Sequence, residues 1–465
     1  MTLPVADRRP SSLRTVWHAF SLALLLSLMT GPPALAEGKA SAAKTNVLLI
    51  TVDSLRPDHL GCYGYGKPTS PWMDRIAREG TLFQNAFSQG GWTSPAMASI
   101  FTGLYPSVHG VEGRNDHFPC RQQSPFSFWE KMGYQVPGYS TIDTESNYSR
   151  LGFQPDPDYG FKPEQFTSWL HKHRSQPFFC WYHINKTPHL AYNPPESYRD
   201  LFWPKGLNPA VLATERLQAV QSKYIIPKGT LALVPEDRPA LLALYDGEVR
   251  VADDTVGMLY RLLEEEGLLD ATVIVLTADH ADELLDHGFI GHASTNWDGT
   301  LFDEVVHVPL VIRYPPAFPP GKAIPEVVEA IDLLPTLQET LGLRSELACQ
   351  GKSLLPLVGG TARDWKGLAF SENSLCGYQC NQVPEKGRVR LASLRSDRWK
   401  LVATHAPAHS RFALFDLRAD PQEQRDVLPS HPTEGSRLME LLLDTYYRNR
   451  LLRNDILAGC PGCQE

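Results

Sequence analysis

The chain has 465 residues, of which 42% are hydrophobic and 21% are charged. This length can bury a large core, and the composition is that of a folded globular protein, which excludes a disordered chain. The formal net charge of -8 gives no long-range attraction for nucleic acid or an anionic lipid surface, so we expect neither as a partner. An anionic substrate would therefore need cations or a metal ion placed locally.

The amino terminus has the pattern of a secretory signal. Three arginines among residues 8–14 precede the apolar run 19–29, and small residues follow as far as Ala36. This order predicts a signal peptide over residues 1–36 and an exported protein, periplasmic or secreted. The alternative is an uncleaved N-terminal membrane anchor, although the apolar run is short for a span. We expect no stable membrane span after cleavage of the signal.

Two continuous apolar and β-branched runs predict strands that are buried on both faces. Asn46–Val52 leads directly to Asp53, and Thr272–Thr277 leads to Asp279 after one residue. The pattern also predicts helices at residues 71–80, 250–267 and 331–341, and buried strands at residues 178–183 and 308–314.

The alternation of these strands and helices predicts an α/β fold, with a mostly parallel central sheet covered by helices on both faces. Open sheets of this kind bind ligands at the carboxyl ends of their strands. Asp53, His183 and Asp279 fall at such ends.

The last part of the chain has shorter strands, at residues 391–394, 399–404 and 412–417, and a final helix near 435–450. This pattern predicts a small antiparallel sheet packed with one helix. The predicted organisation is a catalytic domain over residues 45–345, a connecting segment over 346–388 and a small C-terminal α+β subdomain over 389–465.

The eight cysteines include two close pairs, Cys376 with Cys380 and Cys460 with Cys463. An even number of cysteines in an exported chain permits disulfides. The second pair alone would supply half of a zinc site, because no histidine lies nearby. We therefore interpret both pairs as structural.

Four residues form the strongest candidate for a site: Asp53, Thr93, Asp279 and His280. Two carboxylates, a hydroxyl and an imidazole suit one divalent cation, such as calcium, manganese or magnesium. Each residue also has a structural alternative, since Asp53 is typical of a turn and Thr93 before Pro95 is typical of a helix start. We expect Thr93 immediately before a helix, where free backbone N–H groups favour an anionic ester.

Three segments resemble the sulfatase branch of the alkaline phosphatase superfamily. Residues 53–64 are similar to the family's opening, an aspartate followed by Leu-Arg-Pro-Asp. Residues 93–106 resemble the signature Cys/Ser-x-Pro-x-Arg with its trailing Thr-Gly, and residues 277–288 resemble the segment Ser-Asp-His-Gly-Glu. With weaker matches at 245–248, 303–310 and 415–421, the resemblance spans about residues 45 to 430 and implies an alkaline-phosphatase-like fold.

The resemblance also implies a role for each matching residue. Asp53, Asp279 and His280 would bind the metal, and Thr93 would be both nucleophile and metal ligand. The remaining candidates are His189 and His292 as catalytic residues, and His183 and Lys186 as substrate-binding residues. The segment from His183 to His189 is one residue longer than the family's.

Three positions depart from the family pattern. Most sulfatases oxidise a Cys or Ser to formylglycine, but Thr93 cannot form that aldehyde, so no formylglycine is expected. Met97 replaces the arginine of the signature, and Ser54 replaces a second metal-binding aspartate. These departures resemble the lipoteichoic acid synthases and phosphoethanolamine transferases, which use an unmodified threonine beside a metal.

The sequence leaves three hypotheses open. The first is an exported, metal-dependent hydrolase of phosphate or phosphonate esters through Thr93. The second is a sulfuric ester hydrolase that acts on aryl or glycan sulfates despite the threonine. The third is a catalytically silent relative that binds an anion. In each case the partner is an anionic ester, from a small molecule, a glycan or a lipid head group.

Overall fold

The strands and helices come from a computed structural model that describes residues 45–113, 116, 125–137, 163–185, 187–343, 348–384 and 387–458. The strands are β1 (Asn46–Val52), β2 (Thr81–Phe87), β3 (Phe179–Ile184), β4 (Thr272–Thr277), β5 (Glu283–Leu284), β6 (Ile290–Gly291), β7 (His307–Arg313), β8 (Lys322–Glu329), β9 (Ala369–Ser374), β10 (Arg390–Arg395), β11 (Trp399–His405) and β12 (Ser410–Asp416).

The α-helices vary widely in length. They are α1 (Pro71–Glu79), α2 (Thr93–Thr102), α3 (Pro106–His109), α4 (Pro125–Lys131), α5 (Pro163–His173), α6 (Glu196–Arg199), α7 (Glu215–Ser222), α8 (Arg238–Glu265), α9 (Ala293–Asn296), α10 (Asp303–Val306), α11 (Leu333–Thr340), α12 (Leu355–Val358) and α13 (Pro432–Ala458).

A central sheet has the strand order β3-β1-β4-β7-β2-β8. β1 pairs in parallel with β3 and β4, and β2 pairs in parallel with β8. β7 runs antiparallel to both of its neighbours. Every residue of β1, β3 and β4 is buried, which requires cover on both faces of the sheet. The predicted α/β class with a mostly parallel sheet is confirmed.

The register of β1 brings the predicted site residues to one edge of this sheet. Thr51 lies opposite His183 on β3 and opposite Thr277 on β4. Asp53 and Asp279 each follow these paired threonines by two residues. Because the three strands are parallel, their carboxyl ends meet and place both aspartates at the same edge.

A second, antiparallel sheet has the order β12-β11-β10-β9. Its apolar side chains form a core of their own with helix α13, which confirms the predicted small sheet packed with a helix. This core includes Phe370, Leu394, Leu401, Leu414, Leu438 and Leu442.

The second sheet begins earlier than the sequence pattern suggested. Its edge strand β9 lies inside the predicted connecting segment 346–388, before residue 389. The described residues from Thr45 onward form one compact unit, and the proposed domain boundaries stay a prediction. A disulfide joins Cys376 to Cys380 just after β9, whereas Cys460 and Cys463 lie outside the described residues.

Other elements differ from the prediction in extent. Helix α8 begins at residue 238 instead of 250, and helix α13 continues to residue 458 instead of 450. The strands β2 and β8 were not predicted. β8 is an edge strand with exposed polar residues, so it lacks the continuous apolar run that marks the central strands.

The predicted signal peptide, residues 1–36, lies outside the described residues. Among the residues that are described, no helix has both the length and the apolar character needed to cross a membrane.

Candidate active site

Asp53 follows β1 and is fully buried. Ser54 donates a hydrogen bond to Asp53 Oδ1 at 3.1 Å and has a φ of 59°, in the left-handed region. The hydroxyl of Tyr245 donates to the Ser54 carbonyl at 2.6 Å and accepts from the backbone N–H of Arg56 at 2.9 Å. These bonds fix the turn after β1 and therefore the direction of the Asp53 carboxylate.

Asp279 and His280 follow β4 and are also fully buried. The Nδ1 atom of His280 lies 3.1 Å from the Ala281 carbonyl oxygen, which can only accept a hydrogen bond. Nδ1 therefore carries the proton, and the lone pair of Nε2 is free to face a ligand. Burial lowers the pKa of His280 to about 4, so the imidazole is neutral near neutral pH.

Thr93 lies on a different element and contacts His280. It is the first residue of helix α2, and Trp92 is the N-cap. The helix thus begins one residue earlier than we expected, and Thr93 itself lies in the first turn. Its Oγ1 lies 3.2 Å from His280 Nε2. The unpaired N–H groups of this turn and the helix dipole favour an anionic group beside the threonine.

Asp53, Asp279 and His280 form a group that fits a metal ion. One ligand atom from each residue lies within 4.8 Å of the others. Asp53 Oδ2 and both carboxylate oxygens of Asp279 are buried and have no hydrogen-bond partner in the described part of the chain. Burial, and then the charges of Asp279 and Asp282, raise the pKa of Asp53 well above its usual value. Such oxygens need a cation, and oxygen with imidazole ligands suits a divalent metal.

His183 lies near the end of β3, next to Asp53, and is fully buried. Its Nδ1 is 2.8 Å from Thr51 Oγ1, and its Nε2 is 3.9 Å from Asp53 Oδ2. Burial lowers the pKa of His183 to about 4. The structure therefore places this predicted substrate-binding residue beside Asp53, and its Nε2 has no hydrogen-bond partner among the described residues.

His292 precedes helix α9 and lies beside His280, with ring centroids 4.1 Å apart. Its Nδ1 lies 2.6 Å from Asp282 Oδ1, and its Nε2 lies 2.6 Å from Ser294 Oγ. Burial, followed by the charge of His189, holds the pKa of His292 well below its usual value. Asp282 is thus the residue that orients the His292 ring.

His280, His292 and His189 form a row of three imidazole rings. The ring centroid of His189 lies 5.4 Å from that of His292. Its Nδ1 donates to the Leu190 carbonyl, so Nε2 points to other partners. His189 is only half-buried, unlike His280 and His292, so it is the ring of this row that a substrate reaches most easily. Lys186, the other predicted substrate contact, lies outside the described residues.

The sequence analysis missed Asp282 and Tyr192. The hydroxyl of Tyr192 donates to Asp282 Oδ2, while Asp282 Oδ1 pairs with His292. Asp282 could have been identified from the sequence, because it lies two residues after His280 in a segment that resembles the sulfatase pattern. Tyr192 could not have been identified in this way, because its contact with Asp282 exists only in the folded chain.

Two family models match the chain. The model described as Sulfatase matches residues 45–159 and 163–343, which is more than half of the chain. The model described as N-sulphoglucosamine sulphohydrolase, C-terminal, matches residues 296–443. Together they cover every strand of the central sheet and of the four-stranded antiparallel sheet.

Individual proteins agree with these matches. The N-acetylglucosamine-6-O-sulfatase of Bacteroides thetaiotaomicron is 23% identical over 88% of this chain and 87% of its own. The multifunctional alkaline phosphatase superfamily protein PehA of Trinickia caryophylli is 26% identical over 82% of this chain and 90% of its own. The crystal structure of a phosphonate monoester hydrolase of Agrobacterium radiobacter has a TM-score of 0.66 at 23% identity, covering 87% of this chain and 96% of that one. This chain is an ester hydrolase that belongs to the sulfatase family.

Proposed function

We propose that this chain hydrolyses phosphate or phosphonate esters with one divalent metal ion and with Thr93 as the nucleophile. The observation that carries the proposal is the position of Thr93 Oγ1, 3.2 Å from His280 Nε2, within the group that fits a metal. A hydroxyl that merely capped a helix would not explain the unpartnered oxygens, one of Asp53 and two of Asp279, in the group around His280.

Asp53, Asp279, His280 and Thr93 would hold the metal. When bound, a divalent ion favours the alkoxide form of a hydroxyl and neutralises charge on the ester oxygens. The protein holds these ligands rigidly, since Ser54 and Tyr245 fix the turn of Asp53 and the Ala281 carbonyl fixes the His280 tautomer.

Thr93 Oγ1 would attack phosphorus in line with the leaving oxygen. One oxygen–phosphorus bond forms at Thr93, the bond to the leaving group breaks, and water later releases phosphate from the phosphothreonine. Thr93 would lose its proton to water as it becomes an alkoxide. The leaving oxygen needs a proton, and half-buried His189 would supply it from Nε2 when both of its ring nitrogens are protonated. His292, held by Asp282, lines the wall between His189 and the metal group.

The structure also suits an unmodified threonine at position 93. Met97, which replaces the arginine of the sulfatase signature, is fully buried in the apolar core. A cation at this position would be costly to bury without a partner. The site thus lacks both the residue that forms formylglycine and the arginine that accompanies it.

A sulfuric ester is the second candidate substrate. Both matching family models and the N-acetylglucosamine-6-O-sulfatase favour it. In that case Thr93 would attack sulfur directly or would support a metal-activated water, because it cannot form the aldehyde.

Assays of purified protein with Mn²⁺, Ca²⁺ or Mg²⁺ test the proposal. Matched aryl sulfate, phosphate monoester, phosphodiester and phosphonate substrates would be compared, and we expect the phosphorus esters to react fastest. Thr93→Ala would lose at least about 10³-fold in kcat with its metal retained, because the nucleophile is gone.

Two variants serve as controls for Thr93. Thr93→Ser keeps the hydroxyl and would retain most of the activity, and Ser94→Ala removes a neighbouring hydroxyl and would retain all of it. Full activity in Thr93→Ala would refute the nucleophile. Faster hydrolysis of the aryl sulfate would favour the second candidate, and no hydrolysis of any ester would indicate a silent, anion-binding relative.

Export remains part of the proposal. The basic, apolar and small residues of segment 1–36 support cleavage after Ala36. Expression of the full chain in a bacterium, followed by mass spectrometry of the periplasmic protein, would show a new amino terminus at Glu37. A full-length chain in the membrane fraction would instead indicate the anchor.

A further inference from the structure

A cavity of about 640 Å³ lies away from the metal group and is lined by four arginines. Arg388 and Arg390 come from the start of β10 and the residues before it, and Arg450 and Arg453 come from helix α13. We call this space the arginine cavity. Arginine side chains bind planar or tetrahedral anions through paired N–H donors, so the lining has the chemistry of an anion site.

Helix α13 presents several polar side chains to the cavity at regular spacing. Tyr446, Arg450 and Arg453 follow one another at intervals of four and three residues, so they share one face of the helix. Their alignment produces a stripe along the wall of the cavity, which suits an extended ligand.

The acidic residues of the cavity leave two of the arginines without partners. Glu112 accepts a hydrogen bond from Arg390 and lies 3.8 Å from Arg388. The carboxylate of Asp116 accepts the backbone N–H groups of Glu112 and Gly113. Arg450 and Arg453 form no ion pair with any other residue that the structure describes.

This local excess of positive charge contrasts with the chain, whose formal net charge is -8. Four arginines face two carboxylates in the arginine cavity. Like charges held this close repel one another, and an anionic ligand would relieve the repulsion.

A smaller, inner cavity adjoins the arginine cavity. The two share Glu112, Arg390 and Tyr446, and the inner one is also lined by Pro95, two residues after the nucleophile. The arginine cavity therefore adjoins a cavity that is lined by a residue of helix α2, the helix that begins at Thr93.

We propose that the arginine cavity binds a sulfate or carboxylate group of an anionic glycan chain, at a distance from the ester that is cleaved. Its use during hydrolysis rests on the proposed function, whereas binding itself rests on the cavity alone. The enzyme would then select a chain with several anionic groups over an isolated ester.

Titration calorimetry with a heparin hexasaccharide tests this proposal without any need for turnover. Unmodified protein would bind the sulfated probe, would bind an oligogalacturonate of the same length if carboxylates suffice, and would not bind a neutral cellohexaose. The double variant Arg450→Gln/Arg453→Gln would bind the probe at least about ten-fold more weakly.

Arg448→Gln is the matched control, because Arg448 is exposed on the same helix but pairs with Asp444 outside the cavity. It would change the affinity by less than about two-fold. Circular dichroism and each single variant would show whether the double variant is folded. Equal affinity in the double variant, or absent binding in the unmodified protein, would overturn the proposal. Binding that is lost as predicted, in a protein that hydrolyses no ester, would refute the proposed function and leave the cavity assignment intact.

Discussion

This protein has two buried clusters of acidic residues, and they differ in the groups that lie beside their carboxylates. In the lysine cluster, Glu329 and Asp332 lie beside Lys366, whose Nζ is 2.9 Å from Asp332 Oδ1 and also pairs with Glu329. The hydroxyl of Tyr105 donates to both Glu329 oxygens at 3.0 Å. Burial favours the neutral amine, but these two carboxylates outweigh it and raise the pKa of Lys366.

In the metal group, Asp53 and Asp279 have no such neighbour. No lysine or arginine among the described residues forms an ion pair with either, and the nearest basic groups are the neutral imidazoles of His183 and His280. The difference indicates that a missing cation, and not burial of acids as such, marks the functional cluster.

A third case shows what a buried carboxylate does without a cation or a metal. Glu248 is buried on helix α8 and accepts a single hydrogen bond, from the backbone N–H of Asn193. Burial raises the pKa of Glu248 to about 8, so this carboxyl keeps its proton near neutral pH. The three cases thus differ in what lies beside the carboxylates: a lysine in the first, a candidate metal site in the second and a bound proton in the third.

The largest expected effect is on catalysis. Asp279→Asn would lower kcat/KM by at least about 10³-fold, because a metal ligand that contributes several kcal/mol of charge stabilisation is lost. The matched change in the lysine cluster, Asp332→Asn, would leave the activity of the folded protein within about two-fold. Steady-state kinetics at saturating metal would measure both, and equal losses would show that the two clusters do not differ in function.

The next effect is on stability. Lys366→Gln would lower the free energy of unfolding by about 3–5 kcal/mol, because Glu329 and Asp332 would stay buried without their cation. Lys352→Gln replaces an exposed lysine and would cost less than about 0.5 kcal/mol. Urea denaturation would compare the two, and a small loss in Lys366→Gln would mean that this ion pair contributes little.

Metal binding provides the third comparison. A divalent ion at about 100 times its Kd would stabilise the protein by about 2.7 kcal/mol, since it binds the folded chain. Asp332→Asn would keep this gain and Asp279→Asn would lose it. Thermal denaturation with and without a chelator would measure the gain, and a gain retained in Asp279→Asn would place the metal elsewhere.

The last comparison concerns the pH dependence caused by Glu248. The pKa of Glu248 is about 8 in the folded state and about 4.5 in the unfolded state. Between these two pH values only the folded state binds the proton, so the free energy of unfolding falls as pH rises from about 4.5 to about 8. Glu248→Gln has no titrating group at this position and would remove this part of the pH dependence. Denaturation curves at several pH values would test it, and identical slopes in both proteins would show that Glu248 is ionised when folded.

The sequence predicted the central strands well because they are buried on both faces. β1 and β4 are continuous apolar runs, and each leads to an aspartate of the metal group. The edge strands β8 and β9 carry polar residues and gave no such signal, whereas the edge strand β3 is fully buried and was predicted. In the central sheet, continuous apolar runs were therefore predicted whatever their place in the sheet, and the interior strand β2, which has polar residues, was missed.

The candidate site was predictable where a local motif carried it. Asp53, Thr93, Asp279 and His280 stand in such motifs, and the structure brings them together. Tyr192 and Lys366 could not be assigned, because Tyr192 meets Asp282 and Lys366 meets Glu329 only through tertiary packing. Sequence patterns thus found the acids of the metal group, but neither Tyr192 nor any member of the lysine cluster.

Metal content per chain tests the central claim most directly. After dialysis against Mn²⁺ and removal of free ion, elemental analysis would find one metal ion per chain in the unmodified protein, in Asp332→Asn and in Thr93→Ala. Asp279→Asn and Asp53→Asn, shown to be folded by circular dichroism, would retain almost none. One metal ion per chain in both of these variants would contradict the assignment of Asp53 and Asp279 as ligands in the metal group.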